Sequence, residues 1–224
     1  MITLLQFCDG RRLLNKNHLQ ILKNLAESRN YGQGPAHALQ VSKLSLKIYD
    51  ELVRLKVTKD DPEDRLILEA AAVLHDIGHP HEPHHEVGFD FLADEIPRLT
   101  SDDPISKAAL STLLVSVLWH NERSYLKRGS IEIHDRNHAE KIAAIIRVAD
   151  GLDLPSQPPI DGVILSFSDR SLRFAVISKH PVDLQIEQAK LKSDLMKSAF
   201  ALQDIGFEPA KKTTARDETQ RLTV

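Results

Sequence analysis

The stretch AAAVLHDIGHPHEPHHEVGFDFLA, residues 70–93, carries five histidines between two apolar flanks. Read upstream, it completes PEDRLILEAAAVLHDIGHP, in which Pro62 and two acids suit a helix start and apolar residues fall on nearly every side. Gly78 followed by Pro80 stops that helix, so the spacing predicts a buried helix ending at His75 and Asp76. An imidazole and a carboxylate at the end of a buried helix cost free energy unless they are paired or hold a metal.

Three further helices bring the same kind of residue to an apolar stripe. In AHALQVSKLSLKIYDELVRL, Val41, Leu44, Ile48, Leu52 and Leu55 form one face, and a step of four back from Val41 reaches His37. In ISKAALSTLLVSVLWHNE, Leu110, Leu113 and Val117 lead to His120. In HAEKIAAIIRVADGLD, Ile142, Ile146 and Ala149 share a face with Asp150, and Gly151 supplies the stop.

After Pro155, SQPPIDG breaks the helical pattern. GVILSFSDRSLRFAVISK then reads as a hairpin, with Val163, Leu165 and Phe167 alternating before a polar turn and Leu172, Phe174 and Val176 after it. A helix from about Ile186 to Ile205 is expected next, and residues 211–224 read as a frayed or disordered tail. The expected organisation is a helical body over residues 1–155, a hairpin-plus-helix annex over 156–210 packed on it, and the tail. The fold class is mainly α with a small α+β annex.

The chain has 224 residues, 42% hydrophobic and 27% charged, the balance of an ordinary soluble globular protein with one good core. A formal charge of -3 and 5% aromatic residues disfavour both an electrostatic track and a stacking platform for nucleic acid. The single cysteine, Cys8, has no partner within the chain for a disulfide. The opening MITLLQFCDG lacks the pattern of a leader, and no apolar run approaches the roughly 20 residues needed to span a bilayer. A reducing, cytoplasmic setting without a membrane partner is expected. Apolar side chains on the hairpin can cover the helical body or a second subunit, which leaves a homo-oligomer open.

His37, the His75–Asp76 pair, His120 and Asp150 therefore come from four separate helices. One buried histidine is usually a satisfied core residue, but four helices each delivering a nitrogen or oxygen donor to an apolar face point to a shared ion. Such donors suit a divalent transition metal (Mn, Fe, Co, Ni or Zn) and leave positions open for water and substrate. Adjacent helical residues diverge by about 100°. His75 and Asp76 can thus share an ion where the helix relaxes, at the Gly78 stop.

The order His37, HD at 75–76 and Asp150 in RVADGLD resembles the HD superfamily of metal-dependent phosphohydrolases. EDRLILEAAAVLHDIG, the following HH and AAIIRVADGLD are similar, more narrowly, to the helical carboxyl-terminal region of the exopolyphosphatase/guanosine pentaphosphate phosphatase family, from about His18 to Phe207. The resemblance implies an HD-type helical bundle with His37, His75, Asp76 and Asp150 on a first ion. For a second ion it implies His85, three positions before Gly88, and His120. Asn121 stands where two-metal members have another histidine, so one ion is the expected count. His79, His81 and His84 are assigned to the connecting loop.

Two activities are not expected. Exopolyphosphatases cleave phosphate in a large amino-terminal actin-like ATPase region, for which 224 residues leave no room. Cyclic-dinucleotide phosphodiesterases of the HD class carry a Gly-Tyr-Pro motif after their histidine pair, where this chain continues RSYLKRGSIEIH. The implied reaction is hydrolysis of a phosphoester or phosphoanhydride in a small phosphorylated metabolite, with nucleotides the leading class. Asp76 and Asp150 would orient the attacking water, and His120 or a loop histidine would protonate the leaving oxygen. Arg147, one helical turn before Asp150, heads the cations expected on substrate, with Lys141 and Arg123 ahead of Lys127 and Arg128. The alternative is a non-catalytic regulatory module that binds a nucleotide or a protein through the same pocket.

Overall fold

Apolar residues on nearly every side of a helix leave it no solvent face, and the two helices of that kind form the centre of this molecule. The computed structural model describes residues 13–121 and 136–210. Its elements are α1 (Lys16–Ser28), α2 (Pro35–Arg54), α3 (Pro62–Leu74), α4 (His84–Leu99), α5 (Lys107–Trp119), α6 (Arg136–Gly151), β1 (Gly162–Ser168), β2 (Ser171–Ile177), α7 (Asp183–Leu191), α8 (Asp194–Ala199) and β3 (Asp204–Pro209). The tail expected to be disordered, and Arg123, Lys127 and Arg128, lie outside the described residues.

Helix α5 is buried from Ser111 through Trp119, and α6 buries Ile142 through Ala149 without a break. Three of those α6 residues are alanines, whose small side chains let neighbours approach closely. Helix α6 accordingly packs against α2, α3, α5, α7 and α8. The stripe of α2 behaves as its period predicts: Val41, Leu44, Ile48 and Leu52 are fully buried, Leu55 partly, and His37 is buried at its start. Burial of each such aliphatic side chain contributes about 1.5–3 kcal/mol. Side-chain caps set the entries of two other helices, Asp61 accepting from the Glu63 amide at 2.8 Å and Ser106 from the Ala109 amide at 3.1 Å. No described helix is long and apolar enough to cross a membrane.

The annex is a three-stranded sheet in the order β1-β2-β3. Strands β1 and β2 form the expected hairpin, with Val163 opposite Val176, Leu165 opposite Phe174 and Phe167 opposite Leu172. Its two turn residues, Asp169 and Arg170, both have positive φ, as a twisted two-residue hairpin requires. The expected continuous helix over 186–205 is not formed. The chain makes two short helices, α7 and α8, and returns as β3, parallel to β2. Free backbone groups along the second edge of β2 give residues 204–209 a ladder partner, and Phe207 stacks on Phe174 with ring centroids 4.6 Å apart. That partner is some thirty residues away in sequence, beyond the reach of helical periodicity.

A buried acid ties the annex to the helical body. Glu51 on α2 accepts from Lys47 Nζ at 3.1 Å, from Arg54 Nη2 at 2.8 Å and from the Leu165 amide at 3.0 Å. Arg54 Nη2 also donates to the Leu165 carbonyl at 2.8 Å, so one ion pair satisfies both backbone groups of a β1 residue. Burial opposes the charge on Glu51, but Arg54, the Leu165 amide and Lys47 outweigh it and hold its pKa at about 2, against an ordinary 4.5. A depressed folded-state pKa contributes stability that is complete above the ordinary value and disappears as the pH falls through the folded one. Glu51→Gln is therefore expected to cost about 2–3 kcal/mol at pH 7. Urea denaturation of both proteins should show the difference shrinking as pH falls from about 4.5 toward 2; a pH-independent gap would mean that packing, not charge, sets the cost.

Candidate metal centre

The helices of the body present their polar residues at helix ends. His37 lies in the first turn of α2, His75 and His120 cap the carboxyl ends of α3 and α5, and Asp150 is the penultimate residue of α6. Asp76 follows His75, and His84 opens α4. Gly78 makes the approach of α4 feasible. A Cβ there would sit 2.0 Å from the His84 carbonyl oxygen and 2.6 Å from the Gly88 nitrogen, so any larger residue would push the first turn of α4 away.

Four of the imidazoles have their outer nitrogen committed. His37 Nδ1 donates to Asp153 Oδ2 at 2.8 Å, His75 Nδ1 to the Ala72 carbonyl at 2.7 Å, and His120 Nδ1 to the Val117 carbonyl at 2.6 Å. His84 Nδ1 faces the Glu82 carboxylate, 3.2 Å from Oε2. Carbonyls and carboxylates only accept, so each Nδ1 carries a proton and each ring turns its Nε2 inward.

Those Nε2 atoms converge on Asp76. His37 and His75 Nε2 are 3.3 Å apart and lie 3.5 and 3.4 Å from Asp76 Oδ2. His84 and His120 Nε2 are 3.2 Å apart and lie 3.4 and 3.6 Å from Asp76 Oδ1, with His79 Nε2 at 3.7 Å. Asp150 Oδ1 completes the first set at 3.4 Å from His37 Nε2. Two facing lone pairs repel unless a proton or a cation lies between them. Asp76 Oδ2, fully buried, has no hydrogen-bond donor of its own. Donors at bond lengths of about 2.0–2.2 Å around one ion are separated by roughly 3.0–3.5 Å in octahedral and tetrahedral shells, the spacing seen here. The residues fit divalent metal. Three overlapping groups can hold it: His37, His75 and Asp76; His75, His120 and Asp150; Asp76, His79 and His84.

The electrostatics favour positive charge at this point. Burial opposes an imidazolium at His37, yet hydrogen bonds to Asp150 and Asp153 and the fields of Asp150 and Asp76 raise its pKa to about 10. Burial also opposes the two carboxylates, but His75 and His120 hold Asp76, and His37 and Lys192 hold Asp150, well below the usual carboxylate range. His120 moves the other way, pushed down to about 4 chiefly by burial, and stays a neutral donor.

Sequence expectations are met unevenly. His37, His75, Asp76, His120 and Asp150 come together from four helices as the stripes require. His84 does not remain in the loop, and with His79 it faces Asp76. His85 is buried with its ring centroid 6.3 Å from that of His120 and belongs to none of the three groups. A helical period of four relates His84 to Gly88, and that signal favours His84 over its neighbour. His81 is exposed. Arg147 and Lys141 both turn to the annex rather than the cluster: Arg147 donates to the Lys192 carbonyl at 3.3 Å and to Asp194 at 2.6 Å, and Lys141 Nζ lies 5.9 Å from the Phe200 ring centroid. Asp153, Glu82 and Lys192 went unnoticed in the sequence. Asp153, three residues after Asp150 at the end of a helix, could have been read from its spacing; Lys192 had no local signal.

Comparison with known proteins adds one match. The HD domain family model matches residues 36–154, from the residue before His37 to the residue after Asp153. No curated protein matches the chain. With more than half of its 224 residues matched, and the His/Asp cluster inside the matched region, the chain belongs to the HD domain family.

Proposed function

We propose that this chain is a divalent-metal-dependent phosphohydrolase acting on a small phosphorylated metabolite, with nucleotides the first class to test. HD domains are in general metal-dependent hydrolases, which sets the reaction type. The observation that carries the proposal here is the pair of inward-facing Nε2 couples bracketing Asp76. His37, His75, Asp76 and Asp150 would hold one ion. Asp76, His84, His120 and His79 would hold a second, so that the position of Asn121 no longer limits the count to one. Metal so held would polarise a phosphoryl oxygen and bring the pKa of water toward neutrality.

The chain's own residues prepare that chemistry. Asp153, Glu82 and the carbonyls of Ala72 and Val117 lock the ligand rings so that no reorientation is needed when substrate arrives. Asp76 and Asp150 are ionised throughout the physiological range and serve to hold and orient water rather than to store its proton. His120, neutral and held at Nδ1 by the Val117 carbonyl, acts as a ligand. Protonation of the leaving oxygen falls instead to solvent at the partly exposed rim beside His79. The narrower likeness to the exopolyphosphatase carboxyl-terminal region supplies no catalytic residue to this scheme.

Elemental analysis and a nucleotide panel test the reading together. Wild-type protein loaded with Mn, Co or Ni should hold at least one ion per chain and release phosphate. Asp76→Ala should lose the metal and about 10³-fold or more of the turnover while its circular dichroism stays helical. Protein that takes up no metal, or metal-loaded protein that releases no phosphate, would replace this reading with the regulatory one.

Metal uptake should also depend on pH in a defined direction. The metal-free His37 keeps its proton up to about pH 10, and that proton must leave for Nε2 to bind an ion. The apparent dissociation constant for Co2+ is expected to fall about tenfold per pH unit between roughly pH 6.5 and 8.5. Asp153→Asn removes one of the groups that raise the His37 pKa, so it should flatten that slope while weakening affinity about 10–100-fold. Calorimetric titration across the range reads both; a slope unchanged in the variant would show that Asp153 does not act through His37.

A further inference from the structure

A phosphohydrolase built around buried carboxylates needs a cation for the substrate's phosphoryl oxygens, and neither Arg147 nor Lys141 faces the cluster. Among the described residues, Lys192 is the one lysine or arginine in ion-pair contact with a cluster carboxylate, its Nζ bonded to Asp150 Oδ2. The other oxygen of Asp150 looks to His37. Lys192 therefore stands on the outer side of the metal centre, behind a ligand rather than in place of one.

The exposure of the side chains locates the mouth of the centre. Those of His75, His120, Asp76 and His37 are 0–6% exposed, whereas His84, Asp150 and His79 reach 12%, 13% and 18%, and Lys192 26%. The open side thus runs between the loop before α4 and the corner joining α7 to α8, and Lys192 is the most exposed of these side chains.

That corner is anchored without the help of the lysine side chain. The Lys192 carbonyl accepts from Arg147 Nε, Asp194 accepts from Arg147 Nη2, and Lys192 N–H closes α7 on the Gln188 carbonyl at 3.0 Å. Gly151, the residue after Asp150, lets α7 lie directly on α6: a Cβ there would come 2.8 Å from Ala189 Cα and 2.9 Å from its nitrogen. Two independent features therefore seat the annex against the end of α6 without using the ammonium group, whose partner is Asp150. A flexible, compact cation suits phosphate as a point charge.

We propose that Lys192, supplied by the annex, is the substrate-binding cation that holds the phosphoryl group at the mouth of the metal centre. The inference rests on the phosphohydrolase reading. It makes the annex a wall of the active pocket, and it assigns to residue 192 the role that sequence spacing would give to Arg147.

The test measures inorganic phosphate binding calorimetrically to Mn-loaded wild-type protein, Lys192→Met and Lys192→Arg, with metal content determined on each sample. Lys192→Met keeps the apolar stem, and removing a cation beside Asp150 should leave the metal bound at least as tightly. Its phosphate affinity should fall about 10–100-fold, with Lys192→Arg recovering most of the loss. Where turnover is measurable, KM should rise by a similar factor. A wild type that binds phosphate and a Lys192→Met that binds it equally well would overturn the role of Lys192 and leave the phosphohydrolase reading standing. Metal-loaded wild type that binds no phosphate would overturn both. Loss of metal from Lys192→Met would also overturn the proposal, since it would make Lys192 a support for Asp150 alone.

Discussion

The carboxylate of Asp76 is buried without a hydrogen-bond donor on Oδ2, and much of the molecule is arranged around that charge. A solitary buried carboxylate would take up a proton. Here two couples of imidazoles stand one on each oxygen, with their Nδ1 protons drawn outward by carbonyls and carboxylates. Each component is costly alone. Together they form a cluster of nitrogen and oxygen donors whose natural complement is a cation.

The helical bundle supplies what this arrangement demands. Residues at helix termini can point a short side chain inward without breaking a backbone ladder, since the last carbonyls and first amides of a helix are already outside it. His75 and His120 use that freedom directly: each donates Nδ1–H to the carbonyl three residues back in its own helix, so local geometry fixes the tautomer. His37 and His84 begin their helices and depend on acids outside them, the distant Asp153 and the adjacent loop's Glu82. The buried stretches of α5 (Ser111–Trp119) and α6 (Ile142–Ala149) bring the four ends together because neither has an exposed face there on which to turn outward.

The annex is joined to this body at two places of different character. Glu51 and Arg54 of α2 satisfy the backbone of Leu165 in β1, an ion pair that holds the sheet. At the far end, Gly151 admits α7 against α6, and Arg147 binds the corner that carries Lys192. The second junction lies beside Asp150, so the annex and the metal centre share a boundary.

Local periodicity determined a large part of this protein in advance. The stripes of α2, α5 and α6 and the stop after Asp76 identified the helices and placed His37, His75, Asp76, His120 and Asp150 on inward faces, because a helix face is set by residues three and four apart. The alternation of Val163, Leu165 and Phe167 against Leu172, Phe174 and Val176 did the same for the hairpin. Tertiary structure decided the rest: that His84 and not His85 meets Asp76, that Arg147 and Lys141 serve the annex, that residues 204–209 leave the helical pattern to pair with β2, and that Lys192 reaches Asp150 from 42 residues away. A face can be read from neighbours along the chain, but what that face meets depends on which distant segment packs against it. A long cationic side chain on a helix end or a free strand edge carries no local mark of its partner.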